Sequence, residues 1–180
     1  MNNHQFQEIK TERLLLRKLK NSDWEMISFL RSDKEVNQFV KRPTAKTKEK
    51  AIEFISKINN GIDQQHLFYW AITKNDTDQT IGTICLWNFS KDQKTAEIGF
   101  DLSPKFQGKG IMTECLKSTL NFGFKKLNLD LVTAYTNKEN ESSKKVLERN
   151  GFKFVVDKKD EHDQDNIVYE LNREKPVATK

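Results

Sequence analysis

The densest chemistry in the chain lies in Ser103-Pro104-Lys105-Phe106-Gln107-Gly108-Lys109-Gly110-Ile111-Met112-Thr113-Glu114. Gly108 and Gly110 carry no Cβ and reach backbone conformations closed to other residues. Successive backbone amides of the loop can therefore converge on one anion. A helix that begins here adds unpaired N–H groups and the positive end of its dipole, and Lys109 adds a cation. The segment suits a pyrophosphate, although a plain strand-to-helix turn uses the same residues. The spacing is neither G-x-x-x-x-G-K-[ST] nor G-x-G-x-x-G, which disfavours a nucleotide triphosphatase or a dinucleotide-binding protein.

A second candidate lies just upstream. Thr95 to Leu102 alternates, with Ala96, Ile98, Phe100 and Leu102 on one face and Thr95, Glu97, Gly99 and Asp101 on the other. Glu97 lies on the face that Gly99 leaves open, where a carboxylate can act as a general base, directly or through water. The plainer reading is a surface or ion-paired carboxylate. Downstream, Asn137-x-x-Asn140-x-x-Ser143 opens a short helix. Asn140 is a favoured N-cap and Ser143 is placed to bond backbone, the ordinary uses of those residues.

Other reactive side chains form no constellation. Cys85 and Cys115 lie in apolar patterns with no C-x-x-C and no Cys/His cluster, so neither a metal site nor a disulfide is expected. His4, His66 and His162 are scattered, which argues against a triad and against an acyl-cysteine route. Trp70, Trp87, Phe68 and Tyr69 read as core.

These residues need elements to hold them. Thr11 to Leu19 reads as a first strand, and Asn21-Ser22-Asp23 offers N-cap chemistry for a helix over Trp24 to Arg31. Arg42-Pro43 breaks the chain. A second helix follows from Thr47 to Asn59, with Gly61 expected to end it. Three strands come next: Leu67–Thr73, Thr80–Phe89 and Thr95–Leu102, joined by turns at Asn75–Asp78 and Lys91–Lys94. Gly108 to Leu127 has helical spacing, Leu129 to Thr136 reads as a strand, and Asn140 to Asn150 as a helix stopped by Gly151. Phe152–Val156 and Ile167–Leu171 close the chain, and residues 173–180 read as a tail. The meander implies antiparallel pairing and the strand-helix-strand unit a parallel crossover. The fold class is α+β: a mixed, mostly antiparallel sheet of about seven strands with about four helices.

The chain has 180 residues, which suits one domain over 1–180 with its core at about 11–171. The formal charge of +5 is modest and spread out, and the composition matches no nucleic-acid motif. Met1 to Lys10 lacks the apolar stretch of a signal peptide. No run approaches the roughly 18 apolar residues of a membrane span. The expectation is a cytoplasmic protein with no membrane and no nucleic-acid partner, and a monomer and a homodimer are both compatible with the sequence.

Gln107-x-x-Gly110-x-Met112, entered from Pro104 and followed by an amphipathic helix, resembles the acyl-CoA pyrophosphate motif of the GNAT acetyltransferase superfamily. Ala96-Glu97-Ile98-Gly99-Phe100 resembles the strand that precedes that motif. Asn137 to Ser143, running on to Val146-Leu147-Glu148 and Asn150-Gly151-Phe152, resembles the loop, helix and strand after it. The likeness spans roughly 11–171 and is nearest to the branch that acetylates ribosomal-protein N-termini. It implies acetyl-CoA as cosubstrate. Backbone groups of Phe100, Asp101 and Leu102 would pair with the pantetheine arm. Amides of Gln107, Gly108, Lys109, Gly110, Ile111 and Met112 would hold the pyrophosphate, and Asn140 would reach the pantetheine or the acetyl end. Many members place a general-acid tyrosine where this chain has Leu147. Ser143 is the substitute candidate.

The resemblance implies N-acetylation of a primary amine by direct attack, with Glu97 as base. The acceptor is less legible. A protein N-terminus, possibly ribosomal, a polyamine or amino sugar, and a free amino acid all fit. The carboxylate-rich stretch from Asp157 to Asp165 reads either as an attractor for a cationic amine or as a solvated hairpin loop. The rival to catalysis is a regulatory module that binds acyl-CoA without turnover, a reading that the missing tyrosine at Leu147 motivates.

Overall fold

The structure, a computed structural model, describes residues 5–174. The end of the expected tail and His4 lie outside the described residues. One eight-stranded sheet organises the chain, with strand order β1-β2-β3-β4-β5-β6-β8-β7. Its left side is an antiparallel run of β1 (Ile9–Lys10), β2 (Leu14–Arg17), β3 (Phe68–Lys74), β4 (Thr80–Trp87) and β5 (Thr95–Leu102). Its right side is β6 (Leu131–Asn137), β7 (Lys153–Lys159) and β8 (Asn166–Asn172), again antiparallel. The two sides meet in the parallel pair β5–β6.

Helices cover both faces. The helix α3 (Ile111–Lys125) crosses from β5 to β6, and its buried stripe includes Met112, Cys115, Leu116 and Leu120. This stripe packs into a large core with Leu16, Trp70, Ile84, Ile98 and Val132. The short helix α4 (Glu141–Arg149) lies beside α3 and contributes Leu147 to the same core. On the opposite face α1 (Trp24–Ser32) and α2 (Lys48–Asp63) pack together, and Ile27, Ala51 and Ile55 close a smaller core over Ala71. That second layer covers only the left of the sheet, so the right of that face is open.

Four details differ from the pattern expected of the sequence. β1 pairs Ile9 with Leu16 but has two residues, too short for any periodicity to announce it. The helix α2 runs through Gly61. A Cβ there would sit 2.9 Å from Leu67 Cδ2, so the glycine makes room for Leu67, and the chain turns only at Gln64 and Gln65, the latter at φ 59°. Asn21–Asp23 form a short 3-10 turn, and Asp23 makes no side-chain cap to α1. β7 reaches Lys159, past the Val156 expected, with a bulge between Phe154 and Lys159.

Asp23 serves instead as a buried counter-ion. Arg17 donates to it twice, at 2.8 and 2.9 Å, and Thr80 Oγ1 and the Lys20 amide donate at 2.7 Å each. Burial opposes the charge on Asp23, yet these donors hold its carboxyl below the usual range. Arg17 also reaches Asp78 at 2.7 Å, which ties β2, the α1 turn and β4 into one polar network. A buried pair of this kind is expensive to break from one side, because the partner charge is left stranded.

The feature that makes the site is the short reach of the parallel pair. β5 and β6 are in register only from Thr95 to Glu97 and from Leu131 to Thr133. β4 follows β5 out to Leu102, and β8 follows β6 out to Asn137. Beyond Glu97 and Thr133, therefore, two strands that are each well paired on their outer sides part company.

Candidate active site

A cleft of 1310 Å³ opens at that divergence. It divides into a half on the α3 and α4 side and a half on the open face of the sheet.

The α3 side begins with the backbone of β5. The Ser103 amide donates to Ile81 O at 3.0 Å, so Ser103 and, two residues back, Asp101 direct their backbone toward β4. The closeness of Asp101 O to Gly82, 2.5 Å from an added Cβ, agrees. Phe100 and Leu102 alternate with them and turn their N–H and C=O groups into the gap. Of the three residues expected to meet a pantetheine arm, Asp101 thus faces away in its backbone. Gln107 Nε2 donates to Leu102 O at 3.1 Å, so that carbonyl already has a partner.

The loop comes next. Gly108 and Gly110 both adopt φ 73°, a left-handed conformation that favours glycine. Nothing lies within 4 Å of a Cβ added to Gly108, so the loop is open to solvent on that side. The first α3 residue to bond back to the loop is Glu114, whose amide donates to Gly110 O at 3.1 Å; the amides before it are the free donors of a helix start. Ile111 and Met112 are buried and offer only backbone to the site. Lys109 turns its ammonium onto Lys105 O at 2.9 Å and near the Phe106 ring, outside the cleft. Arg13 stands in its place as a cation beside the loop. Its Nη1 donates to Lys109 O at 3.1 Å, its Nε to Glu114 at 2.7 Å, and its Nη2 lies 3.6 Å from a Gly110 Cβ. No sequence motif marks Arg13, because only the β1–β2 turn brings it there.

Across the gap, Asn140 Oδ1 accepts from the Ser143 amide at 3.0 Å, so Asn140 does cap α4. Both residues line the cleft, and the Ser143 hydroxyl has no partner among the described residues. Leu147 is 1% exposed and belongs to the core, although it reaches the cleft wall.

On the open face, Glu97 is half-buried and accepts from Asn88 Nδ2 at 2.6 Å. Burial lifts its carboxyl above the ordinary value against that hydrogen bond, and the Asp160 charge adds to the rise. A raised carboxyl pKa suits a proton acceptor near neutral pH. Tyr135 comes from β6, two residues beyond the Thr133 that pairs with Glu97, and so shares its face. Burial and Glu97 hold its phenol in the protonated form. Trp87, opposite Glu97 on β4, is 48% exposed and lines the cleft. Phe68 and Trp70 are core as expected, but Trp87 is not. The strand pattern could not separate them, since the layer that would cover Trp87 is absent on this half of the sheet.

Cys85 lies under this half, its Sγ 3.2 Å from a Cβ added to Gly99. Burial first, then Asp101, pushes its thiol up to about 12. Cys115 is buried in the core, and its thiol too is pushed up to about 12. Both remain thiols rather than nucleophilic thiolates at neutral pH. The acidic stretch at the hairpin tip is largely spoken for. Asp163 and Asp165 pair with Lys41, at 3.1 and 3.9 Å, and Asp165 also pairs with Lys138 at 2.9 Å. Asp160 accepts from Asn166 and from the His162 amide, at 2.8 Å each. Arg42 forks onto the Asp101 carboxylate at 2.7 and 3.0 Å, which fastens the α1–α2 connection to β5.

A splayed parallel pair, a glycine loop at a helix start and a carboxylate on the far side define an acyl-carrier transferase. The profile of the Acetyltransferase (GNAT) domain matches residues 13–153, and the chain belongs to that family. It is 31% identical over 137 residues to the uncharacterized N-acetyltransferase p20 of Bacillus licheniformis, covering 76% of this chain and 77% of that one. It is 29% identical over 147 residues to the uncharacterized N-acetyltransferase YoaA of Bacillus subtilis, covering 82% and 83%. Among solved structures, the ribosomal-protein-S5-alanine acetyltransferase of Vibrio fischeri superposes with a TM-score of 0.78 at 25% identity, over 92% of this chain and 96% of that one. The protein is an acetyl-CoA-dependent acyltransferase whose acceptor is an amine. Among the described residues no helix is long and apolar enough to cross a membrane.

Proposed function

We propose that the chain carries acetyl directly from acetyl-CoA to a primary amine while both are bound. The observation that supports this is one continuous cleft with an anion-binding loop at one end and a half-buried carboxylate at the other. The cradle fits the cosubstrate: the loop amides at a helix start and the Phe100 backbone offer donors where a diphosphate and an amide-bearing arm need them. Acetyl-CoA supplies an acyl group already activated as a thioester.

The residues of the chain manage protons and position. An amine enters as an ammonium, with a pKa near 10, and must lose a proton before its lone pair is free to attack. Glu97 takes that proton, directly or through water, and Asn88 fixes its carboxylate. The Ser143 hydroxyl donates a hydrogen bond to the departing sulfur. Holding both reactants in one geometry supplies much of the rate. The acceptor classes are a protein N-terminal amine and a small-molecule amine; the Vibrio fischeri relative is named for acetylation of a ribosomal-protein-S5 alanine.

Free-thiol release from acetyl-CoA against peptides with free N-termini, polyamines, aminoglycosides and amino acids tests the proposal. Release with an acetyl mass increment on one class is the expected result. Acetyl-CoA binding with no release for any class would favour the regulatory module.

A further inference from the structure

The open half of the cleft carries more information about the acceptor than its carboxylates do, and an acceptor subsite there rests on the acetyl-transfer reading. Five large hydrophobic side chains are exposed among the described residues, and two of them, Trp87 and Val40, line this one cleft. Phe39 and Val36, partly buried, line it beside Val40 on the α1–α2 connection. The Trp87 indole leans over β5, its Nε1 3.8 Å from a Cβ added to Gly99. The ring thus lies at ordinary contact distance over Gly99, whose tighter neighbour is Cys85 Sγ at 3.2 Å. The indole N–H has no partner among the described residues. Trp87 is also the cross-strand partner of Glu97, and directly opposed residues hold their Cβ atoms about 5 Å apart.

The charges around it are distributed unevenly. Asp163 and Asp165 belong to Lys41 and Lys138, Asp101 to Arg42, and Glu170 to Lys158 at 2.7 Å. Glu35 and Glu161 stand exposed at the mouth, where water leaves an ion pair worth little. Glu97 and Asp160, by contrast, are half-buried and answered by neutral donors, Asn88 for the one and Asn166 with the His162 amide for the other, and Glu97 sits beside an exposed aromatic ring. Such a site offers one strong place for a cation and an apolar wall next to it. Farther out a second ammonium of a polyamine would meet only the exposed Glu35 and Glu161. The pair Lys41–Asp163 joins the connection to the hairpin, and both residues line the cleft, so the two walls meet over this end. That narrows the mouth for a chain-length acceptor.

We propose that this half of the cleft is an acceptor subsite for a small primary monoamine with an aromatic or branched apolar group two or three bonds from the nitrogen. The ammonium faces Glu97, and the apolar group lies on Trp87 under Val40 and Phe39. Trp87 is the specificity-determining residue.

The test compares wild type, Trp87→Ala and Trp87→Phe on 2-phenylethylamine, spermidine and a tetrapeptide with an N-terminal Phe. Aromatic contact is worth about 1 kcal/mol beyond its buried area, so the preference of wild type for 2-phenylethylamine over spermidine in kcat/KM is expected at roughly fivefold. Trp87→Ala should remove that preference by raising KM for the amine, Trp87→Phe should restore most of it, and the Kd for acetyl-CoA should be unchanged in both. A binding arm needs no turnover: 2-phenylethylamine should quench tryptophan fluorescence in wild type but not in Trp87→Phe. Quenching without turnover would keep this subsite and sink the acetyl-transfer reading. Preference for spermidine or the peptide, or an unchanged amine KM in Trp87→Ala, would overturn the subsite.

Discussion

The two halves of the cleft are built by different means. The α3 side uses backbone: amides at a helix start, strand groups left unpaired by a divergence, and glycines that keep side chains out of the way. The open side uses side chains from five separate places, namely β4, β5, β6, the connection between α1 and α2, and the β7–β8 hairpin. Backbone recognition binds one cosubstrate and is indifferent to most substitutions. Side-chain recognition can be rewritten residue by residue while the sheet stays the same. The first half is therefore where members of such a family should agree, and the second is where they can differ in acceptor.

Several substitutions sharpen or break that division. Gly110→Glu is expected to abolish acetyl-CoA binding by calorimetry while circular dichroism stays native, because it sets an anion and a strained left-handed residue where the diphosphate would lie. A retained Kd would remove the loop from the site. Glu97→Gln should lower kcat about 10²-fold or more and leave the acetyl-CoA Kd unchanged. Its pH dependence carries a sign. The base works ionised and its carboxyl lies above the usual range, so activity should rise with pH through that elevated pKa, and the limb should vanish in the variant. An unaltered limb would assign the proton to another group.

Asp23→Ala provides the contrast, since its ion pair lies outside the cleft. Chemical denaturation should show a loss of about 3–5 kcal/mol from the stranded Arg17, with acetyl-CoA affinity intact in the folded protein. Asp23 has a depressed pKa, so its contribution is present above the unfolded carboxylate value and fades as pH falls through the folded one. Ser143→Ala is the smallest, about fivefold in kcat, as one neutral hydrogen bond warrants. No change at all would leave the sulfur unassisted.

The sequence exposed the backbone half more fully than the side-chain half, for a physical reason. Gly108, Gly110 and the helix start are contiguous, so their spacing carries their purpose. The strand over Thr95–Leu102 was legible to the residue because its apolar and polar residues alternate, and Ala96 and Ile98 are buried where Thr95, Glu97 and Gly99 are not. Trp87, Asn88 and Tyr135 come together only once strands pair, as Arg13 reaches the glycine loop only through the β1–β2 turn, and nothing in their local spacing announces it. Asp23 illustrates the same limit. Its neighbours advertised a helix cap, but a long-range partner, Arg17, claimed the carboxylate. Gly61 looked like a stop because helices commonly end on glycine, whereas its purpose is contact with Leu67.

The short parallel pairing between β5 and β6 has a consequence for stability as well as for catalysis. A sheet whose interior edge is left unpaired carries a seam, and a molecule that lies in the seam acts as a missing strand. On the proposed binding mode acetyl-CoA binds the folded chain and not the unfolded one, and at a hundred times its Kd mass action would add about 2.7 kcal/mol to the folded state. For a chain of this length that amounts to a rise in Tm of several degrees. The cosubstrate is thus a removable part of the fold, and its concentration sets how long the sheet holds together on heating.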